Sequence, residues 1–272
     1  SGRQLCLSDI GAVWTRKNAD FSFNDDLVNV QELKYAVMET EHTLYSMMFA
    51  LDCYWMNHPS AVRSSSWKGE QLIRAAKMGL NIPESIITNQ PNQAKQFISH
   101  AQGQVIFKSL SSASLGSESI EDEDDVVVTG LKTTLVTDEH LANIDAISEI
   151  PVCFQTYIEK QFELRVTVID DEVFCAKINS QTDVRTQIDY RDYSADIIYE
   201  KYELPDNIAD KVIRFVHSYG LKYGAIDLIA SQNNDYFFLE NNPVGQFMFI
   251  EQLVPELKMF EKIANCLIGA TQ

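Results

Sequence analysis

Apolar residues recur along this chain with two periods, one near 3.6 and one of 2, and the period changes element by element. Leu33, Val37, Leu44, Met47, Met48, Leu51 and Trp55 follow three- and four-residue steps. That spacing predicts a long helix with one apolar stripe against a core, closed by Pro59. Before it, residues 10–14 read as a short buried strand and Lys17 to Asp26 as a polar loop. From Ser66, the segment WKGEQLIRAAKMGLNIP has a periodic Leu72/Ala75/Ala76 face and Gly79 near its end, which predicts a second helix stopping before Pro83. A strand over Ile86 to Thr88, a helix over Asn92 to Ala101 and a strand Val105-Ile106-Phe107-Lys108 follow. A serine-rich tract and the acidic run Glu118 to Asp125 read as a solvated loop, with a return strand over Val126 to Leu131.

The second half is dominated by the period of 2. After a helix near Glu139 to Ser148, Val152 to Ile158 reads as a strand. Glu163 to Ile169 and Val173 to Asn179 alternate around Asp170-Asp171, which predicts a hairpin. Ile197 to Leu204 is a further strand, Asn207 to Tyr219 an amphipathic helix ended by Gly220, and Tyr223 to Ala230 with Tyr236 to Glu240 a second hairpin. A helix near Glu256 to Ile268 follows. Strands and helices in this order predict an α+β protein with mostly antiparallel sheets in two lobes meeting near residue 150.

Composition narrows the chemistry. The 272 residues are 45% hydrophobic and 22% charged, which suits a folded chain and excludes disorder for most of it. Lys plus Arg total 22 against 39 Asp plus Glu, a net charge of −17, so the summed field repels nucleic acids and anionic membranes. A polyphosphate ligand would need a local cluster of cations or a bound metal. Five scattered cysteines without CxxC spacing form neither a zinc nor a disulfide framework. With no membrane-length apolar run, the expected location is the cytoplasm.

The sharpest local feature is Asp227 with Glu240-Asn241-Asn242, because each acid lies on one strand of a hairpin that can bring them together. Mg²⁺ is commonly held by one or two carboxylates plus substrate phosphates, and Asp227, Glu240 and the Asn242 amide oxygen fit that need. A solvated turn with scattered acids is the other reading. Lys108 ends an apolar strand and Lys68 opens a helix, so both could grip phosphate, although a lone lysine is usually surface. The tract SLSSASLG at 109–116 offers hydroxyls and amides but no GxxxxGK[ST]. Arg165 and Lys177 lie on adjacent strands whose parity could aim both at one cleft, or each could pair with Glu163 or Glu172. Arg185, Asp189 and Arg191 sit in the polar connection TDVRTQIDYRDY, which could bind a peptide carboxylate or be a solvated loop. The histidines are dispersed, and no GxSxG or HExxH is present.

Taken in order, Lys68, GLNIP at 79–83, VIFK at 105–108, FQTYI at 154–158, ELRV at 163–166, YGAIDLI at 223–229 and FLENNPVGQF at 238–247 resemble the ATP-grasp ligases. NSQ at 179–181, DYR at 189–191 and the FLENNPVGQF ending are most similar to the microviridin-type ribosomal peptide maturases, the graspetide synthetases. The resemblance implies an ATP-grasp fold in which two lobes clasp ATP: a shortened N-terminal region over 1–60, a small lobe over 61–150 and a catalytic lobe over 151–272. It implies that Lys68 and Lys108 contact ATP, that Gln155, Thr156, Tyr157 and Ile158 form the adenine-reading hinge with Leu239 beneath, and that Glu163 meets the ribose. Asp227, Glu240 and Asn242 would hold Mg²⁺, Arg165 and Lys177 would face the γ-phosphate, and Arg185, Asp189 and Arg191 would engage substrate. The implied partner is a precursor peptide with a leader and a Thr- and acid-rich core, in a chain that could be a homodimer. Two other readings stand beside it: a RimK-like ligase that adds amino acids to a protein or peptide end, and a non-catalytic peptide-binding scaffold of the same fold.

Overall fold

The computed structural model describes residues 4–16, 21–23, 29–111, 114–115, 129–130, 132–192 and 194–270. Its elements run β1 (Ala12–Val13), α1 (Val30–Phe49), β2 (Tyr54–Trp55), α2 (Pro59–Ser64), α3 (Lys68–Lys77), β3 (Ser85–Thr88), α4 (Pro91–His100), β4 (Val105–Lys108), β5 (Ser114–Leu115), β6 (Thr129–Gly130) and β7 (Thr134–Leu135). They continue with α5 (Asp138–Ala142), β8 (Val152–Thr156), β9 (Lys160–Ile169), β10 (Glu172–Ile178), β11 (Tyr199–Lys201), α6 (Asp206–His217), β12 (Tyr223–Ser231), β13 (Tyr236–Asn242), α7 (Met248–Leu253) and α8 (Met259–Gly269).

Two antiparallel sheets organise the molecule. The larger has the order β11-β10-β9-β12-β13 and the smaller β3-β8-β4-β7. The chain crosses from one to the other between Thr156 and Lys160. Alternation sorts the large sheet into two faces. Leu164, Val166, Val168, Ile226 and Leu228 point to one side, where Val212, Phe215 and Val216 of α6 and Leu72 and Ala75 of α3 cover them. Ile169, Ala176, Tyr223 and Ala225 point to the other, beneath Phe247, Ile250, Met259 and Ile263 from the C-terminal helices, with Met56 and Trp14. The small sheet has its own core, in which Val105 and Phe154 meet Ala94, Ile144 and Ile147.

Several details depart from the sequence expectations. Helix α1 forms, with the Asn29 side chain accepting from the Gln31 amide at 2.9 Å, but none of its residues is buried. Leu33 and Phe49 are 40% and 49% exposed, and Val37, Leu44 and Met48 of the periodic stripe are only half-buried. Trp55 belongs to β2, past the end of that helix. Helix α3 begins at Lys68 and not at Ser66, because the Ser66 hydroxyl donates back to Val62 O at 2.7 Å and is not free to cap. The segment containing α3 also packs on the large sheet, although its position in the chain suggested the small lobe. Gly79 ends α3 with φ of +78°, as expected of a residue that must turn left-handed. The acidic run 118–125 and most of the strand expected over 126–131 lie outside the described residues.

One buried amide places the site. The Gln71 side chain accepts from Asn241 N at 2.8 Å and donates to Asn241 O at 2.9 Å, so α3 is locked to β13 as an extra strand would be. Lys68, one turn earlier on α3, is thereby held against β13.

Candidate active site

A cleft of about 280 Å³ lies between the two sheets. Parity explains who enters it. On β12 and β13, Asp227 faces Glu240 and Ala225 faces Asn242. A bulge follows Asp227, where Leu228 pairs with Phe238 and skips Leu239, and both Leu239 and Glu240 reach the cleft. From the small sheet come Ile106 and Lys108 of β4 and the end of β8 with its continuation, Gln155 to Ile158. Asp189, Tyr190 and Arg191 enter from the polar connection.

The charges are paired with one exception. Lys68 Nζ is 2.9 Å from Glu240 Oε2, and Arg165 Nη1 is 2.9 Å from Asp227 Oδ1. Lys160 Nζ donates to Glu163 Oε1 at 2.7 Å and to Ile188 O at 3.0 Å. Arg191 is held by Asp189. The Lys108 ammonium makes no hydrogen bond or ion pair with a described residue; burial pushes it below the ordinary value, against the pull of Glu240. Burial also raises Asp227, with Glu240 adding to the effect and Arg165 opposing it. In Glu240 burial acts the same way, but Lys68 and Lys108 override it and hold the carboxyl below its ordinary value. Among the described residues, four cations (Lys68, Lys108, Lys160, Arg191) and four acids (Glu163, Asp189, Asp227, Glu240) line the cleft, so their formal charges cancel inside a chain of −17.

Two facing carboxylates of a hairpin, one raised by burial and further by the other, are a donor set that a divalent cation would relieve, and Asn242 adds an amide oxygen on the same face. No group of three or more His, Cys, Asp or Glu side chains gathers at metal-binding distance among the described residues. The set therefore suits Mg²⁺ carried with a phosphate, which supplies the missing oxygens. The buried Gln155 Oε1 has no hydrogen-bond partner among the described residues, and it lies in the wall where the hinge was expected.

The structure brings together Lys68, Lys108, Gln155, Thr156, Tyr157, Ile158, Glu163, Asp189, Arg191, Asp227, Leu239, Glu240 and Asn242. It does not bring three others. Arg165 stands behind Asp227, where it also donates to Gln246 O at 3.4 Å, and is not part of the cleft wall. Lys177 pairs with Leu164 in the ladder while Arg165 pairs with Ala176, so the two side chains leave opposite faces of the sheet. Lys177 instead meets Glu200 at 3.2 Å and lies over Phe162. Arg185 is captured two residues away by Asp183, whose carboxyl these bonds pull down to about 2, and it points to solvent. Lys160 and Tyr190 are wall residues that sequence reasoning passed over. A lysine opening a strand three residues before a glutamate was the available signal for Lys160.

Two variants probe this arrangement. Gly245 leaves room for the Arg165 guanidinium: a Cβ there would stand 2.9 Å from Nη2 and 2.5 Å from Ala225 Cβ. Gly245→Ala is expected to cost about 1–3 kcal/mol in chemical denaturation; an unchanged midpoint would show that the loop shifts freely. Lys108→Met is expected to stabilise the nucleotide-free protein by about 1 kcal/mol, because it removes a buried cation without a partner, and to weaken ADP binding about tenfold or more. Thermal melts with and without ADP check both signs.

The model of the RimK-like ATP-grasp domain matches residues 64–264, which contain every wall residue of the cleft. The chain belongs to the RimK-like ATP-grasp family. Its α+β fold and its cleft between two antiparallel sheets are those of an ATP-grasp ligase, as the resemblance implied. Among solved structures, a Chryseobacterium gregarium RiPP-associated ATP-grasp ligase in complex with ADP and a leader and core peptide is similar at TM-score 0.86 and 30% identity, over 97% of this chain and 78% of that one. Macrocyclase MdnC bound with precursor peptide MdnA, from Microcystis aeruginosa MRC, matches at TM-score 0.83 and 30% identity, over 99% and 82%. Macrocyclase MdnB from the same organism matches at 0.74 and 28%, over 96% and 78%. A search of curated proteins finds no match to the sequence.

Proposed function

We propose that this ATP-grasp ligase is a peptide macrocyclase that uses ATP to join acidic side chains of a precursor peptide to Thr, Ser or Lys side chains of the same peptide. The observation that carries the proposal is the meeting of Lys68 and Lys108 with the Asp227–Glu240 pair in one cleft, in a chain similar at 30% identity to a RiPP-associated ATP-grasp ligase and to a macrocyclase, both solved with peptide. A peptide carboxylate oxygen attacks the γ-phosphorus of ATP, the bond to the departing ADP breaks, and an acyl phosphate results. A hydroxyl or amine of the peptide then attacks the acyl carbon, loses its proton and releases phosphate, closing an ω-ester or ω-amide ring.

The residues at the cleft divide the work of this scheme. Lys68 and Lys108 neutralise phosphate oxygens as point charges, Gln155 to Ile158 with Leu239 receive the adenine, and Glu163 lies at the ribose end. Asp227, Glu240 and Asn242 would hold Mg²⁺, which when bound spreads the charge of the transferring phosphoryl group. Arg165 fixes the Asp227 carboxylate from behind. Asp189 and Arg191 face the core peptide: Arg191→Ala should leave ADP affinity within about twofold and weaken peptide processing, and an equal loss of both would move Arg191 to the nucleotide. A leader would dock outside the cleft and raise the local concentration of the core.

The test is the mass of a Thr- and acid-rich peptide incubated with enzyme, ATP and Mg²⁺. Macrocyclisation removes one water per ring. A gain by whole amino-acid residues, with those amino acids supplied, would instead establish a RimK-like reaction that adds amino acids to a peptide end. Peptide binding without ADP release would leave a scaffold. We place the protein in the cytoplasm, a reading supported by five free cysteines and by the lack of any membrane-crossing helix among the described residues. A homodimer is part of the proposal, and sedimentation velocity checks it.

A further inference from the structure

A second cavity, of about 350 Å³, opens beside the first. Thr15 and Arg16 after β1, Arg63 at the end of α2, Ser66 and Trp67 before α3, and Val244 in the turn after β13 are among the residues that line it. Among the described residues, two arginines and no acid stand in its wall, in a protein with 17 more negative than positive charges. Neither arginine has a carboxylate partner among the described residues. Arg63 is exposed and its guanidinium makes no hydrogen bond or ion pair there. Among the described residues, Arg16 Nη2 donates to Gly245 O at 3.2 Å, its guanidinium carbon lies 5.6 Å from the Trp14 ring and 5.4 Å from the Phe247 ring, and its buried Nε has no acceptor. A guanidinium fixed by aromatic rings with donors to spare is built to take an oxyanion.

Position says which oxyanion. The turn that carries Val244 and Gly245 begins at Asn242, in the wall of the nucleotide cleft, and Arg165 takes Gln246 O from the cleft side while Arg16 takes Gly245 O from the other. Trp67, 60% exposed at the rim of the second cavity, immediately precedes Lys68. A peptide whose reacting carboxylate sits at the phosphate end of the cleft would thus lay its neighbouring residues over Trp67 and toward Arg16 and Arg63.

We propose that this cavity is a specificity subsite for a second carboxylate of the core peptide, one that is bound without being activated and sets which acid of the core enters the cleft. The inference rests on the macrocyclase reading for its substrate, and its test separates the two. The probe is a synthetic fluorescein-labelled peptide of alternating Thr and Glu, compared with its Thr and Gln isostere, with binding read by anisotropy in the presence of ADP and Mg²⁺. The Glu peptide is expected to bind at least tenfold tighter than the Gln peptide, and Arg63→Gln and Arg16→Gln are each expected to erase most of that difference without changing ADP affinity. Because Arg63 is exposed, its variant folds even if Arg16→Gln does not. Where a peptide is cyclised, Arg63→Gln should raise KM more than it lowers kcat and scatter the ring positions seen in tandem mass spectra. Equal binding of both peptides by wild type, or an unchanged preference in Arg63→Gln, overturns the subsite. An Arg63-dependent preference with no loss of water from any peptide leaves the subsite standing and removes the macrocyclase reading.

Discussion

Asp227→Asn is expected to lower ADP formation about a thousandfold with the fold retained. The substitution keeps the shape of the side chain and removes one of two negative ligands from the phosphate end of the cleft, where a metal's charge matters most. Glu240→Gln should have a loss of similar size for the same reason. The two variants differ in what they leave behind. In Asp227→Asn the buried Arg165 loses its counter-ion, whereas in Glu240→Gln the lysine set free is Lys68, which has solvent on one side. The first should therefore melt lower than the second, while both lose turnover. Coupled-enzyme detection of ADP with a processed peptide, run beside thermal melts, reads both quantities. Turnover within tenfold of wild type in either variant would remove its carboxylate from the metal set.

Arg165→Met is the second large effect. The Arg165 and Asp227 side chains are 8% and 15% exposed, and removing one partner of so buried a pair leaves the other charge without compensation. A loss of about 3–5 kcal/mol follows. Restoring neutrality restores stability: Arg165→Met combined with Asp227→Asn is expected to recover most of the loss in urea denaturation and to remain inactive. That non-additivity distinguishes an ion pair from simple packing, because a cavity left by the guanidinium would persist in the double variant. Equal instability of the single and double variants would mean that Arg165 acts by filling space.

Much of this site could be read from residue order, and the reason is parity. Asp227, Glu240 and Asn242 were legible as residues of one hairpin, but the turn alone would set Asp227 opposite Leu239, and the bulge after Asp227 is what sets it opposite Glu240. Lys108 followed from an apolar strand that ends in a cation. Register between separate elements was harder. The expectation for Arg165 and Lys177 needed the offset across the β9–β10 turn, and the observed pairing of Arg165 with Ala176 puts Lys177 on the far face. The bulge that turns both Leu239 and Glu240 to the cleft leaves no mark in the alternation itself. Arg185 was lost to a local competitor, Asp183, which any loop arginine with an acid two residues away can find. Helix α1 shows the converse limit: a pattern of period 3.6 specifies a helix, but what covers its apolar residues is a tertiary fact.

The central claim is that the Asp227–Glu240 pair, not another acid of this anionic chain, receives the metal that accompanies the nucleotide. Crystals grown with ADP and Mn²⁺ test it through the anomalous signal of manganese. The account predicts a peak within bonding distance of the Asp227 and Glu240 carboxylates, with the diphosphate beside Lys68 and Lys108. A manganese peak on other carboxylates, or a nucleotide bound outside the cleft between the two sheets, would contradict it.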